Sequence, residues 1–283
     1  MNDSLVNQLK DEGSFIHELY RLSKIYGKAF LKDRIGTIKV FDVTFPFYAH
    51  PSLWYLSENS KGHIYEPGST LHLIEHFSSA PICFIDIGAH YGYFSSLLGS
   101  LHPDTIVYAF EPNPVMFSTL ERNMVINNPQ GKAYQLALSD ETSTIPFQGV
   151  SMKVDANDTE LRVPAEKFDN WCATNKVLPS VVKIDVHGSE GKVLFGMQET
   201  LKNQNFSMYL EIHPQDLLVD YTLEEIVTLV LDSGFQMFEI HDFREQNYSL
   251  SAVNSEERSR LIDPDKWTSQ ETEKRRMFYC EKV

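Results

Sequence analysis

Phe84-Ile85-Asp86-Ile87-Gly88-Ala89-His90-Tyr91-Gly92-Tyr93-Phe94 is an apolar run ending in an acid, followed by a glycine-punctuated turn and an aromatic-rich segment. That order predicts a buried strand, a tight loop and a helix. Gly88 and Gly92 let backbone approach a ligand with no Cβ in the way. At the carboxyl end of a parallel strand such a loop opens a nucleotide-sized crevice.

On either side of this stretch the chain repeats the same alternation. Short apolar runs at 82–87, 105–110, 133–138, 181–186, 206–212 and 235–240 predict strands, with helices between them at 91–101, 114–126, 165–175, 189–203 and 223–233. The pattern is that of a doubly wound, mostly parallel α/β sheet. Residues 140–164 break the rhythm with Gly149, Asp155, Asn157 and Asp158 and are read as a loop near the mouth of the site. Arg276-Met277-Phe278-Tyr279-Cys280 supplies a last strand. Residues 1–63 form an N-terminal extension and residues 64–283 the main domain. In the extension, Leu5, Leu9, Ile16, Leu19, Leu22 and Ile25 fall at helical spacing. A β-branched and aromatic segment over 36–48 predicts a hairpin with a turn at Asp42, stopped by Pro46 and Pro51. Phe45, Phe47, Tyr48, Trp54 and Tyr55 lack an obvious place in the sheet, and are candidates for acceptor contact or for burial in a homodimer.

Composition narrows the function. The 283 residues carry 39 acids against 25 bases, a net charge of -14, which disfavours a phosphate-tracking surface and hence a nucleic-acid substrate. Cys83, Cys172 and Cys280 have no CxxC or His-Cys spacing and read as reduced thiols of a cytoplasmic protein. No basic n-region with an apolar h-region opens the sequence, and no apolar stretch reaches membrane-spanning length.

Asp86-x-Gly88-x-x-x-Gly92 departs from the dinucleotide fingerprint GxGxxG, because Ala89 and His90 stand where glycine lets a pyrophosphate approach. An adenosine cofactor without phosphates tolerates those side chains, and its cationic end suits Asp86. S-adenosylmethionine has that chemistry. Glu111 ends the next apolar run, placed to accept hydrogen bonds from both ribose hydroxyls, although it also suits the N-terminus of the helix beginning at Pro114. Pro112-Asn113 turns the chain there. Leu138-Ser139-Asp140 ends the third run where adenine would lie, or simply begins a polar loop.

These segments, together with Asn123 and Asn127, Val182-Lys183-Ile184-Asp185-Val186-His187-Gly188-Ser189-Glu190 and Leu210-Glu211-Ile212-His213, resemble the FkbM family of S-adenosylmethionine-dependent methyltransferases over residues 64–213. The resemblance implies a class I methyltransferase (Rossmann-like) fold with a seven-stranded sheet. It also implies methyl transfer to hydroxyls of sugars, glycans and other secondary metabolites, with S-adenosylhomocysteine as product. Tyr65-Glu66 corresponds to a pair that family members often show before the core, positioned to close over the cofactor, against an ordinary turn at Pro67-Gly68. From the residues themselves, Tyr91, Tyr93 and Phe94 are candidates for an adenine or sugar platform, although aromatics at a helix start are commonly core. The chain departs from the family pattern at His90, usually Asn, and at His187, usually Glu.

Hydroxyl methylation requires removal of a proton. Strand alternation groups Lys183 with Asp185, and Tyr209 with Glu211 and His213. His213 is the first expectation for the base, with Asp185 holding substrate or the cofactor's methionine end, and His187 and Asp185 as alternative bases. A Lys183–Glu211 ion pair would orient them, or would be a buried couple with no further role. His213 before Pro214 is equally explained as a strand cap, and Glu190 as a first-turn dipole partner. Asp185, His187, His213 and Glu211 are the residues that would gather a metal, but none is expected, since no HxxxH or DxD spacing presents ligands from one element. Two rival readings remain: a dinucleotide oxidoreductase, and a non-catalytic adenosyl-binding scaffold on the same fold.

Overall fold

The computed structural model describes residues 34–49, 64–146, 162–261, 263 and 275–282; the predicted helix over 4–31, Trp54 and Tyr55 lie outside these. An antiparallel hairpin of β1 (Arg34–Val40) and β2 (Val43–Ala49) comes first. The main domain then runs α1 (Pro67–Phe77), β3 (Cys83–Ile87), α2 (Tyr93–Leu101), β4 (Ile106–Phe110), α3 (Pro114–Asn127) and β5 (Lys132–Tyr134). After these come β6 (Ala137–Ser139), β7 (Ser143–Pro146), β8 (Arg162–Lys167), α4 (Phe168–Asn175), β9 (Val181–Ile184), α5 (Glu190–Phe195), α6 (Gln198–Asn203) and β10 (Ser207–Ile212). The chain closes with α7 (Leu223–Asp232), β11 (Phe235–His241), β12 (Ser249–Ala252), α8 (Ser255–Leu261) and β13 (Arg276–Lys282).

The central sheet has the order β12-β11-β13-β10-β9-β3-β4-β5. Strands β5, β4, β3, β9 and β10 are parallel, and β13 slots antiparallel between β10 and β11. All seven expected strands are present, and β12 adds an eighth at the β11 edge. From β3 the chain moves outward to β4 on one side, whereas β9 flanks it on the other. The strand order therefore reverses beside β3, and the carboxyl ends of these strands leave a crevice there.

Alternation along the strands divides the core into two layers. Phe84, Val107, Val181 and Tyr209 face α1, α2, α3 and the hairpin, whereas Ile85, Phe110, Val182 and Leu210 face α4, α5, α6 and α7. Phe45 and Phe47 are wholly buried in the first layer, so these two hairpin aromatics are core rather than acceptor contacts. Pro46 does not end its strand. It sits within β2 opposite Thr37, on a two-stranded sheet whose edge needs no donor from it. Asn123 of α3 clamps the hairpin, accepting the Tyr48 amide at 2.6 Å and donating to the Tyr48 carbonyl at 2.9 Å, and Asn127 donates to the Pro46 carbonyl at 2.9 Å.

Three expectations of local structure are corrected. The run over 133–138 divides into β5 and β6, because β6 leaves the main sheet to pair with β8 in a small sheet with β7. The helix expected from 165 starts at Phe168, since Val163 and Ala165 alternate inward on β8. The helix over 189–203 is interrupted at Gly196-Met197, where the carbonyl of Ser139 comes so close that a Cβ on Gly196 would stand 1.9 Å from it.

Candidate active site

The loop after β3 is held by the chain itself. Gly88 takes φ +80°, and a Cβ there would lie 1.8 Å from the Asp185 carbonyl; Gly92, at φ +83°, lies against Leu120. These glycines serve the close approach of neighbouring segments of the protein. His90 is also left-handed, at φ 53°. Its amide donates to Glu111 Oε2 at 2.9 Å, and the Asn113 amide donates to Glu111 Oε1 at 2.8 Å. Two amides thus orient the Glu111 carboxylate, and its remaining lone pairs are free of backbone. Burial pushes its carboxyl up to about 7. Asn113 caps α3 through the Val115 amide, which leaves Glu111 for the crevice.

Asp86 is fully buried, with Oδ2 accepting from Ser95 Oγ at 2.6 Å. Ser95, unremarkable in the sequence, holds the residue on which the cofactor expectation began. Tyr65 packs edge-on against Tyr93 at 5.4 Å between ring centroids, and Tyr93 is itself buried. Glu66 sits left-handed at the start of α1 and is buried; burial pushes its carboxyl up to about 7. Leu138 is buried on β6. Ser139 Oγ donates to Asp140 Oδ1 at 3.1 Å, Tyr221 donates to Asp140 Oδ2 at 2.8 Å, and Lys192 stands 3.8 Å from Oδ1. Asp140 is therefore already engaged on both oxygens.

The ends of β9 and β10 gather the other expected residues. Lys183 reaches Asp185 Oδ2 at 3.3 Å and lies over the Phe94 ring at 4.8 Å. The expected Lys183–Glu211 pair is not formed. In register Lys183 lies opposite Tyr209, and Asp185 takes its ammonium; Glu211 faces Arg244 and Arg275 instead, each at 3.6 Å. Burial disfavours a charge on Asp185, but Lys183, His187 and His213 outweigh it and hold its carboxyl below the ordinary value. Burial pushes Glu211 up to about 8. Among the described residues Asp86 Oδ1, Asp185 Oδ1, Glu66 Oε2 and both oxygens of Glu211 are buried without a hydrogen-bond partner. Unsatisfied buried carboxylate oxygens are costly. A ligand carrying ammonium and sulfonium charges answers that deficit, so these residues fit the cofactor expected from the sequence.

His213 is almost fully buried, and both ring nitrogens are engaged. Nδ1 faces Glu190 Oε1 at 2.7 Å and Nε2 faces His187 Nδ1 at 2.9 Å. Glu190 Oε1 also accepts the Gly188 amide at 3.0 Å. Glu190 thus does more than answer the α5 dipole: it fixes the His213 ring. His187 is left-handed, at φ 53°, with its side chain 48% exposed. Of the two imidazoles it is the one open to an acceptor. Strand alternation along β9 and β10 is the sequence signal that points to Asp185 and His213.

Residues 86–237 match the family model described as Methyltransferase FkbM domain, more than half of the chain. The chain belongs to the FkbM methyltransferase family. It is a methyltransferase of the S-adenosylmethionine-dependent type, which sets aside the dinucleotide oxidoreductase. Among curated relatives of this FkbM-family enzyme, the 31-O-demethyl-FK506 methyltransferase FkbM of Streptomyces tacrolimicus is 27% identical over 188 residues, covering 53% of this chain and 71% of that protein. The hexuronic acid methyltransferase AglP of Haloferax volcanii is 31% identical over 168 residues, covering 53% and 67%. A crystal structure of Methyltransferase FkbM from Methylobacillus flagellatus aligns with 60% of this chain and 42% of that one, at 16% identity and a TM-score of 0.45. The chain thus spans less than half the length of that solved structure. Among the described residues no helix is long and apolar enough to cross a membrane.

Proposed function

We propose that the enzyme methylates a hydroxyl group of a sugar, glycan or glycosylated secondary metabolite, using S-adenosylmethionine. The observation carrying this reading is the convergence of Asp185, His187 and His213 at the ends of β9 and β10, beside the Asp86–Glu111 crevice. A hydroxyl proton has a pKa far above 7 and needs such a cluster to leave. The two relatives, whose names specify a 31-O position and a hexuronic acid, support an oxygen acceptor on a polyhydroxylated molecule.

In this reading Glu111 holds the ribose, Asp86 and Glu66 answer the cationic methionine end, and the Gly88–Gly92 loop with Ala89 and His90 shapes the floor. Leu138, Ser139 and Asp140 border the adenine. The bound cofactor supplies the methyl group as an electrophilic sulfonium. Asp185, kept ionised by Lys183, steadies the positive charge next to the acceptor, and the His187–His213–Glu190 chain acts on the hydroxyl. Residues 64–283 carry this chemistry, and residues 1–63, apart from the buried hairpin aromatics Phe45 and Phe47, meet the acceptor or a second copy of the chain.

The test is incubation with methyl-labelled S-adenosylmethionine and a panel of uronic acids, oligosaccharides and polyketide glycosides, read by mass spectrometry. Label recovered as a methyl ether is the expected result. Label recovered on nitrogen or carbon, or on RNA, would sink the proposal, as would label on no member of the panel while S-adenosylhomocysteine still binds.

A further inference from the structure

Three donor atoms from two neighbouring segments meet at one point. Asp185, His187 and His213 each bring one donor atom within 4.8 Å of the others. The separations are 2.9 Å between the two nitrogens and 3.8 Å between His187 Nδ1 and Asp185 Oδ1. Ligands ~2.1 Å from one cation stand ~3.0 to 3.4 Å apart in octahedral or tetrahedral geometry, so the 2.9 Å pair already matches a shared ion and the 3.8 Å pair must close by a few tenths of an ångström. We propose that Asp185, His187 and His213 bind a first-row divalent transition metal that also ligates the acceptor hydroxyl. The inference rests on the reading of the site as a hydroxyl methyltransferase.

Two of the three donors are prepared for this, and His187 becomes the third when the Nδ1 proton that it now shares with His213 Nε2 moves to its own Nε2. Asp185 commits Oδ2 to Lys183 and leaves Oδ1 buried without a hydrogen-bond partner. Glu190 receives the Nδ1 proton of His213, which puts the lone pair on Nε2, facing the point where the three atoms meet. A carboxylate behind a histidine is the arrangement that orients metal-binding imidazoles. Two imidazoles and one carboxylate favour zinc, cobalt, manganese or iron over magnesium, which prefers oxygen. The neighbouring set Glu66, Asp185 and Glu211 also brings three oxygens together, but Lys183 and Arg244 already supply cations there. It has less need of an ion.

The half-exposed His187 leaves a side open to an acceptor. A hydroxyl ligated there loses its proton to solvent at a lower pH than when free. Its oxygen then forms the C–O bond as the S–CH₃ bond breaks, and the bonding pair passes to sulfur. The products are methyl ether, S-adenosylhomocysteine and the released proton.

The test uses untagged full-length chain, stripped by chelator and titrated with Zn²⁺ by calorimetry and with Co²⁺ by visible absorption, with no acceptor present. One equivalent of each should bind, with a cobalt d–d spectrum showing nitrogen ligation. His187→Ala, at a half-exposed position, should weaken binding ~100-fold or more. Glu190→Gln should weaken it ~10- to 100-fold. S-adenosylhomocysteine affinity should hold in both variants. Absence of a one-equivalent site in a chain that still binds S-adenosylhomocysteine overturns the metal, as does binding that His187→Ala leaves intact. Methyl ether formation by metal-free chain overturns the metal and leaves the hydroxyl methyltransferase standing. Metal binding without any methyl ether product does the reverse.

Discussion

At the end of β4 the Glu111 carboxylate is aimed by backbone amides, whereas at the ends of β9 and β10 the polar side chains are aimed by one another. Glu111 accepts from the amides of His90 and Asn113, which are fixed by the left-handed turn and by the start of α3. His213 is oriented by Glu190, and Asp185 by Lys183. The first half is a cradle of loop geometry suited to a ligand of constant shape. The second is a set of ionisable groups whose protonation and ligands can change, which is what bond-making requires. On the proposed function the first half serves the cofactor and the second the acceptor.

Removing the exposed imidazole is the most severe test of that division. His187→Ala should lower turnover ~10²- to 10⁴-fold with S-adenosylhomocysteine affinity unchanged. Rapid-quench turnover beside calorimetry checks it, and a matching loss of cofactor affinity would break the division. Gly88→Ala probes the contact between the halves, because its Cβ would strike the Asp185 carbonyl and the residue would keep a positive φ. A loss of about 2 to 4 kcal/mol in unfolding free energy by denaturant titration is expected. A wild-type value would mean that the two loops are not in contact. Glu111→Ala should weaken cofactor binding by ~1 to 3 kcal/mol and leave turnover at saturating cofactor nearly intact.

The smallest effect concerns pH. Burial raises Glu66 and Glu111 to about 7 and Glu211 to about 8. The folded chain therefore holds protons that the unfolded chain has released above ~4.5. Stability from these groups is complete at low pH and is lost as pH rises through 7 and 8. His72 and His90, lowered to about 4 by burial, work in the opposite sense. Their contribution is lost as pH falls from ~6.5 through 4. Between pH ~4.5 and 6.5 the two histidines largely offset the three carboxyls, and above ~6.5 the carboxyls act alone, so the melting temperature of the cofactor-free chain should fall most steeply between pH ~6.5 and 8, and Glu211→Gln should flatten that fall. A melting temperature that climbs between pH 7 and 8.5 would contradict the assignment of these charges.

The sequence made the nucleotide half legible because its determinants are local. An apolar run, a glycine turn and a terminal acid all lie within a few residues, and strand periodicity placed Asp86 and Glu111 at adjacent carboxyl ends before any contact was known. Seven strands and their parallel sense follow from the same periodicity. Partner choice among charged side chains is not periodic. Lys183 with Asp185 rather than Glu211, Glu190 behind His213, Ser95 under Asp86 and the arginines facing Glu211 depend on register and on loop approach across distant segments. The interruption at Gly196 and the departure of β6 from the main sheet likewise answer to neighbours far along the chain. Local sequence was enough for a mostly parallel sheet with a crevice beside β3. Which imidazole is open to an acceptor was decided by tertiary structure alone, because the meeting of His187 and His213 depends on how the segments after β9 and β10 pack together.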